Sequence, residues 1–600
     1  MLPNERRIFA CLSRRVAAAP APRRRCLPAR PPHGVQRLTL SHGIRRIAKT
    51  ALAVWLLAAL PQGCAGPASD APELILTGGQ IYPLGADDQP VEALAIRGDT
   101  ILALGDDREV LALAGPYTQQ MRLEDSVVLP GAADAWIDLE TLGRWDASPL
   151  DLRLASTVEE VQAMVRNAAG ASRTPDGWLI GWGWSENEWP RAALPSRHDL
   201  DATGVEAPII LWRRAGRLAW LNSAALARLG PLRDEGPPGG RIGRDAEGNP
   251  DGILAGTAVD LLGSVVADPD PAARREWMAA GLRRAAASGL TRVATSPVDA
   301  AVVAQLLDLE ARGLLPVRTD VRLRPDAVAG VGGGRISRRL AASRLVRLAA
   351  VGLCLDGPLS ARLAALAAPY EGSGGDTGLL MVDAAEITAA MEIARSGGLP
   401  LHLQASGDRA IATALEALGP APPPGTMFIG FDLPPEGAIA AAAAAGVGVA
   451  VAASRFAEDI YSLDRLLGPG RAEGAHPWGA LAAAGVPLTF ASDAPSHGLR
   501  PLVAVAAAIS RQDANGYPAG GWHPEQALER SLLVRSLVGA PRTGQPAALQ
   551  VGSPADVTVW SEDPVAGTAQ GLLRGEALLT IVAGRVAYSR PLVQLAAARR

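Results

Sequence analysis

The stretch VVLPGAADAWIDLETLG, Val127 to Gly143, opens like a buried strand, breaks at Pro130-Gly131 and brings polar side chains in near its end. An apolar run of this kind suits a parallel strand covered on both faces. In a barrel of such strands the chemistry sits at the carboxyl ends. Trp136 and Asp138 stand there, two positions apart and so on one face of the strand.

Working outward, further apolar β-rich runs alternate with Ala-rich helical segments. Strands are expected near 127–134, 290–296, 317–323, 349–356, 399–405, 426–432, 447–453 and 486–493. The helical segment AAEITAAMEIARSGG ends in glycine, as a helix C-terminus should. This α/β alternation predicts a (β/α)8 TIM-type barrel. The gap of about 150 residues between the first two strands is too long for a plain connection and reads as an inserted lid. Alternating hairpin patterns at both ends of the body predict one small β-sandwich built from the two chain ends. The expected division is a leader over 1–64, a sandwich over 72–128 and 545–590, and a barrel over 129–540 that contains a lid over 144–275.

Of the 600 residues 48% are hydrophobic and 20% charged, the composition of a globular chain. A net charge of -3 and 4% aromatics argue against nucleic acid as a partner. Of the four cysteines only Cys354 lies in the body, so neither a disulfide framework nor a structural zinc site is expected. Lys49 is the only lysine. It belongs to IRRIAKTALAVWLLAALPQGCAG, where a basic stretch precedes an apolar run from Thr50 to Leu60, too short to span a bilayer. Gly63-Cys64 is then expected to be a lipoprotein cleavage site, with Cys64 lipidated and the protein exported. The membrane would be a partner only through that anchor, and nothing in the sequence speaks to oligomeric state.

The motifs VVLPGAADA, GWGWSENEW, AWLNSAALARLG, LDGPLSAR, QASGDRA, ASDAP and GSPADVTVW together resemble the amidohydrolase superfamily, in its family-3 branch of N-substituted-formamide-deformylase-like enzymes. The likeness runs from Leu74 to Tyr588. It implies hydrolysis of non-peptide C–N bonds, such as amide or N-formyl groups, with one or two divalent ions such as zinc polarising a carbonyl and activating water. It also implies a histidine pair on the first strand, a lysine or acid on the fourth, one histidine each on the fifth and sixth, and an aspartate on the eighth. Those positions hold Trp136 and Asp138, Gly352, Gln404, Phe431 and Asp493. A histidine expected in the lid is Arg217. Only Asp493 matches. Trp136 and Phe431 are unable to bind a divalent ion and are expected to fill its space, so no metal cofactor is expected.

What remains is an acid pair, Asp138 and Asp493, expected to face the mouth, with Gln404, His402, Arg217 and Trp136 as ligand-contact candidates. The reading is an amidohydrolase-like protein without its metal that binds a small molecule. The alternative is an active hydrolase with a site rebuilt around Asp138, Gln404 and Asp493. His497 is close enough in sequence to Asp493 to reach the mouth, whereas His198, His476 and His523 read as loop residues without partners. Arg213, Arg214 and Arg217 are candidates for anion binding from the lid, and the lid tryptophans for its core.

Overall fold

The computed structural model describes residues 70–85, 89–124, 126–170, 174–332, 334–539 and 547–590. The expected signal segment and Cys64 lie outside them. Among the described residues no helix is long and apolar enough to cross a membrane.

Eight parallel strands form one sheet in chain order: β1 (Ala132–Ile137), β2 (Leu290–Thr295), β3 (Arg318–Leu323), β4 (Val346–Cys354), β5 (Leu401–Ala405), β6 (Met427–Gly430), β7 (Gly448–Val451) and β8 (Leu488–Phe490). A parallel bridge between Ile137 and Ala494 joins the last strand's continuation to the first, so the sheet curls into the expected barrel. Outward-facing Val293, Val321, Leu403 and Val449 pack with the surrounding helices in one continuous core.

The opening stretch forms two strands rather than one. Val127–Pro130 pairs antiparallel with Val557–Trp560 in a sheet outside the barrel. Gly131 then donates its N–H to the Asp556 carbonyl, and β1 begins at Ala132. A Cβ on Gly131 would lie 2.1 Å from Thr291 Oγ1, so only glycine lets the chain cross between the sheets here. The outer sheet (Gln80–Ile81, Val127–Pro130, Val557–Trp560, Ala577–Val582, Arg585–Ser589) faces a four-stranded one (Thr100–Gly105, Ala93–Arg97, Leu74–Thr77, Gln119–Arg122). Leu76, Leu94, Val128, Val557 and Ile581 fill the space between them, making a sandwich from both chain ends.

Between β1 and β2, helix Leu139–Asp146 crosses helix Pro271–Ala287 at Gly143 and Gly281. A Cβ on Gly281 would lie 2.0 Å from the Leu139 carbonyl oxygen. The inserted lid carries a five-stranded sheet in the order Gly240–Arg244, Pro250–Gly256, Leu218–Leu221, Ile209–Arg213, Leu179–Trp184. Its core includes Trp184, Trp189 and Trp220, whose rings pack at 5.6–6.3 Å while each indole N–H reaches a carbonyl. Leu363 and Ala361 of the barrel complete that core and seat the lid on the loop after β4.

Candidate functional site at the barrel mouth

Trp136 points into the barrel. It belongs to one apolar cluster with Met427 and Ile429 of β6, Ala450 of β7 and Ala491 beyond β8, against which Cys354 of β4 packs. The Arg322 guanidinium lies 5.3 Å from the ring centre. Arg322 is itself fully buried, donating from Nε to His402 Nδ1 at 2.7 Å and from Nη1 to the Thr295 carbonyl at 2.8 Å. Burial pushes its pKa down to about 10, short of neutralising it at pH 7. His402 and Gln404 stand two positions apart on β5 and so share a face, and Gln404 sits in register with Cys354 and Ile429. Burial drives the Cys354 thiol up to about 12, so it is no nucleophile at neutral pH.

Phe431 does not fill the barrel interior as expected. Gly430 and Phe431 both adopt positive φ, +96° and +63°, which breaks the strand's alternation. The Phe431 ring therefore packs 5.0 Å from Phe428 in the helix-facing core. The break brings Asp432 into the polar group beyond the strand ends.

That group is a buried chain of charges. Arg455, in the helix Ala453–Asp459 after β7, donates from Nη1 to Asp432 Oδ2 at 2.5 Å and to Ser406 Oγ at 2.9 Å. Its Nη2 donates to Asp493 Oδ2 at 2.9 Å. Asp493 holds a left-handed backbone, with φ +58°. His497 lies 3.6 Å from the same oxygen through Nδ1 and 3.0 Å from Glu458 Oε2 through Nε2. His476 is fully buried, between Asp459 at 2.9 Å and Asp432 at 3.4 Å, correcting its reading as a loop residue without partners. Arg213 of the lid pairs with Glu186 at 2.8 Å and comes within 3.9 Å of Glu458.

The electrostatics follow from those contacts. Burial alone would raise the Asp493 and Asp432 carboxyls, but the Arg455 charge and the histidine bonds hold both below the ordinary carboxylate range. Burial disfavours the His497 cation, yet bonds to Asp493 and Glu458 outweigh it and lift the pKa to about 9. Glu458 is correspondingly depressed to about 2. At neutral pH Arg455 and His497 are therefore cations, and Asp432, Asp493 and Glu458 are anions.

Asp138 is engaged elsewhere. It caps the helix Leu139–Asp146, accepting from Thr141 N–H at 3.0 Å and Thr141 O–H at 2.8 Å. Beside it, at the carboxyl ends of β1 to β3, lies a cavity of about 230 Å³ lined by Glu140, Arg274, Thr295, Asp299 and Arg324 among others. The structure thus gives the two acids different partners: Thr141 for Asp138, Arg455 and His497 for Asp493. In the lid, Arg213, Arg214 and Arg217 each face an acid, Glu186, Glu188 and Asp260 respectively. Asp356 accepts three backbone N–H groups, from Ala365, Ser406 and Gly407, and holds the loops after β4 and β5 together.

These side chains do not fit the divalent ion that the resemblance implies. Trp136 is buried in an apolar cluster, and Gly352 carries no donor and is closed over by Pro297. Gln404 offers only an amide, Phe431 faces away, and a guanidinium holds Asp493. Among the described residues no group of three or more His, Cys, Asp or Glu side chains is disposed to hold an ion.

The sequence profile of the amidohydrolase family matches residues 122–588. YtcJ of Bacillus subtilis (strain 168), named by likeness as an amidohydrolase, is 25% identical over 533 residues, covering 86% of this chain and 99% of its own. The N-substituted formamide deformylase of Arthrobacter pascens is 26% identical over 207 residues, 34% of this chain and 38% of its own. A crystal structure of an uncharacterized metal-dependent hydrolase from Pyrococcus horikoshii superposes with a TM-score of 0.65 at 22% identity, covering 83% of this chain and 99% of that one, which supports the fold.

Proposed function

The chain belongs to the amidohydrolase family, whose relatives include hydrolases of C–N bonds, and on that premise we propose that it is a metal-free member that binds a small molecule and no longer hydrolyses one. One observation carries the reading. At the first-strand position where the family would place a ligand, Trp136 is buried in an apolar cluster with Met427, Ile429, Ala450 and Ala491, and the Arg322 guanidinium lies against its ring. An indole ring has no lone pair for a cation, and moving it would undo that packing.

The remaining acid does not restore chemistry by itself. A general base must be free to take a proton, and Asp493 is held as a carboxylate by two cations. The cavity beside Asp138 is the candidate ligand site, because it opens at the carboxyl ends of the strands and is lined by charges of both signs.

The test is a panel of N-formyl and N-acyl amines offered to the protein with and without added Zn²⁺, Mn²⁺ or Mg²⁺. The reading expects no turnover above buffer in any condition. It expects a compound that raises the melting temperature to lose that effect in Arg324→Ala. Metal-dependent turnover abolished in Asp493→Asn would overturn it. Metal-independent turnover abolished in Asp138→Ala would instead favour a rebuilt acid pair.

A further inference from the structure

We propose that Arg455 is the barrel's own tethered cation: its guanidinium stands between Asp432 and Asp493 in place of a divalent ion and keeps one out. The inference rests on the metal-free reading and extends it by naming what replaced the ion.

The geometry is that of a cation bound between two anions. One amino group of the guanidinium reaches Asp432 at 2.5 Å and Ser406 Oγ at 2.9 Å, and the other reaches Asp493 at 2.9 Å. The Arg455 and Asp432 side chains are each 2% exposed and that of Asp493 14%, so water contributes little to neutralising either carboxylate. Two buried carboxylates sharing a site repel, and one would take up a proton unless a positive charge lay between them. Arginine supplies that charge at any working pH, and its planar fork reaches both partners at once. Lysine would supply the charge at one point only. Arg455 Nε is buried without a hydrogen-bond partner. The side chain is thus placed for its two terminal amino groups, at the expense of its third donor.

The same three oxygen-bearing groups, Asp432, Asp493 and Ser406, are hard donors of the type that Mg²⁺ and Mn²⁺ take together with water. With the guanidinium in place the space between the two carboxylates is taken and one of their two negative charges is already balanced. With a neutral, shorter side chain both conditions reverse.

The experiment measures Mn²⁺ content by mass spectrometry after incubation and desalting, with thermal stability read in parallel. Wild type, Arg455→Lys, Arg455→Ala and Arg455→Ala combined with Asp432→Asn are compared. Wild type and Arg455→Lys are expected to retain no Mn²⁺ and to show no shift in melting temperature. Arg455→Ala is expected to retain about one ion per chain and to be stabilised by it, and the Asp432→Asn combination to lose both effects. If Arg455→Ala does not fold in metal-free buffer, refolding is carried out with and without Mn²⁺. Rescue by the ion supports the proposal, and failure of rescue overturns it. A folded Arg455→Ala that takes no ion also overturns the role of Arg455 while leaving the metal-free reading intact. Stoichiometric Mn²⁺ in wild type overturns that reading itself.

Discussion

Arg455 Nη2 donates to Asp493 Oδ2 at 2.9 Å, so the one acid that matches the family pattern is bound to a guanidinium rather than free to act. Removing one partner of a buried ion pair leaves the other charge uncompensated, at a cost of about 3–5 kcal/mol. Asp493→Asn is therefore expected to lower unfolding stability by roughly that amount, at the lower end because the carboxylate is partly exposed. Urea unfolding followed by tryptophan fluorescence checks this. An acid kept for catalysis would leave stability unchanged or improved when neutralised.

The His497 contacts predict a loss of stability on the alkaline side. Its pKa is raised from 6.5 to about 9 by Asp493 and Glu458, with Arg455 bound to the far side of Asp493 and Arg213 near Glu458. A group with a raised native pKa contributes fully below its unfolded value and loses that contribution as pH climbs through the native one. Stability should thus fall between pH 6.5 and 9, by on the order of 1–3 kcal/mol. His497→Gln should flatten the profile in that window. An unchanged slope in the variant would mean that the pairing with Asp493 and Glu458 contributes little.

Asp138 is expected to behave as a helix cap. Asp138→Ala removes both bonds to Thr141, a change that typically costs about 0.5–2 kcal/mol. Asp138→Ser should recover most of the loss, because a hydroxyl still accepts from the helix N–H. Thermal unfolding of the three proteins reads the difference. Equal losses in Ala and Ser would show that Asp138 acts through something other than the cap.

Much of the barrel was legible in the sequence because most strands are apolar runs, and several are separated by Ala-rich helices such as Ala384–Ser396 and Ala438–Ala444. The predicted strand ends lie within a few residues of those observed, except at Val127–Ile137. There the pattern stays apolar across two sheets, and only the crowding at Gly131 marks the crossing. The loss of the family's ligand types at Trp136, Gly352 and Gln404 was legible because neighbouring motifs fix their positions on the strands. The Arg455 group was not. VAASRFAED is an ordinary amphipathic start to a helix, and nothing in it shows that Arg455 turns inward. Asp432 was masked by Phe431, since strand alternation places the phenylalanine inside until two positive φ values reverse it. His476 lies 44 residues from Asp432 in sequence and 3.4 Å away in space, a relation that no local pattern encodes.

The most direct measurement is the metal content of the wild-type protein. The chain from Ala65 onward is incubated with Zn²⁺, Mn²⁺ and Mg²⁺ in turn, desalted and assayed by mass spectrometry beside Asp493→Asn. Trp136 in the barrel interior and Arg455 on Asp493 predict no retained ion in either protein. A stoichiometric ion in wild type that disappears in Asp493→Asn would contradict the account.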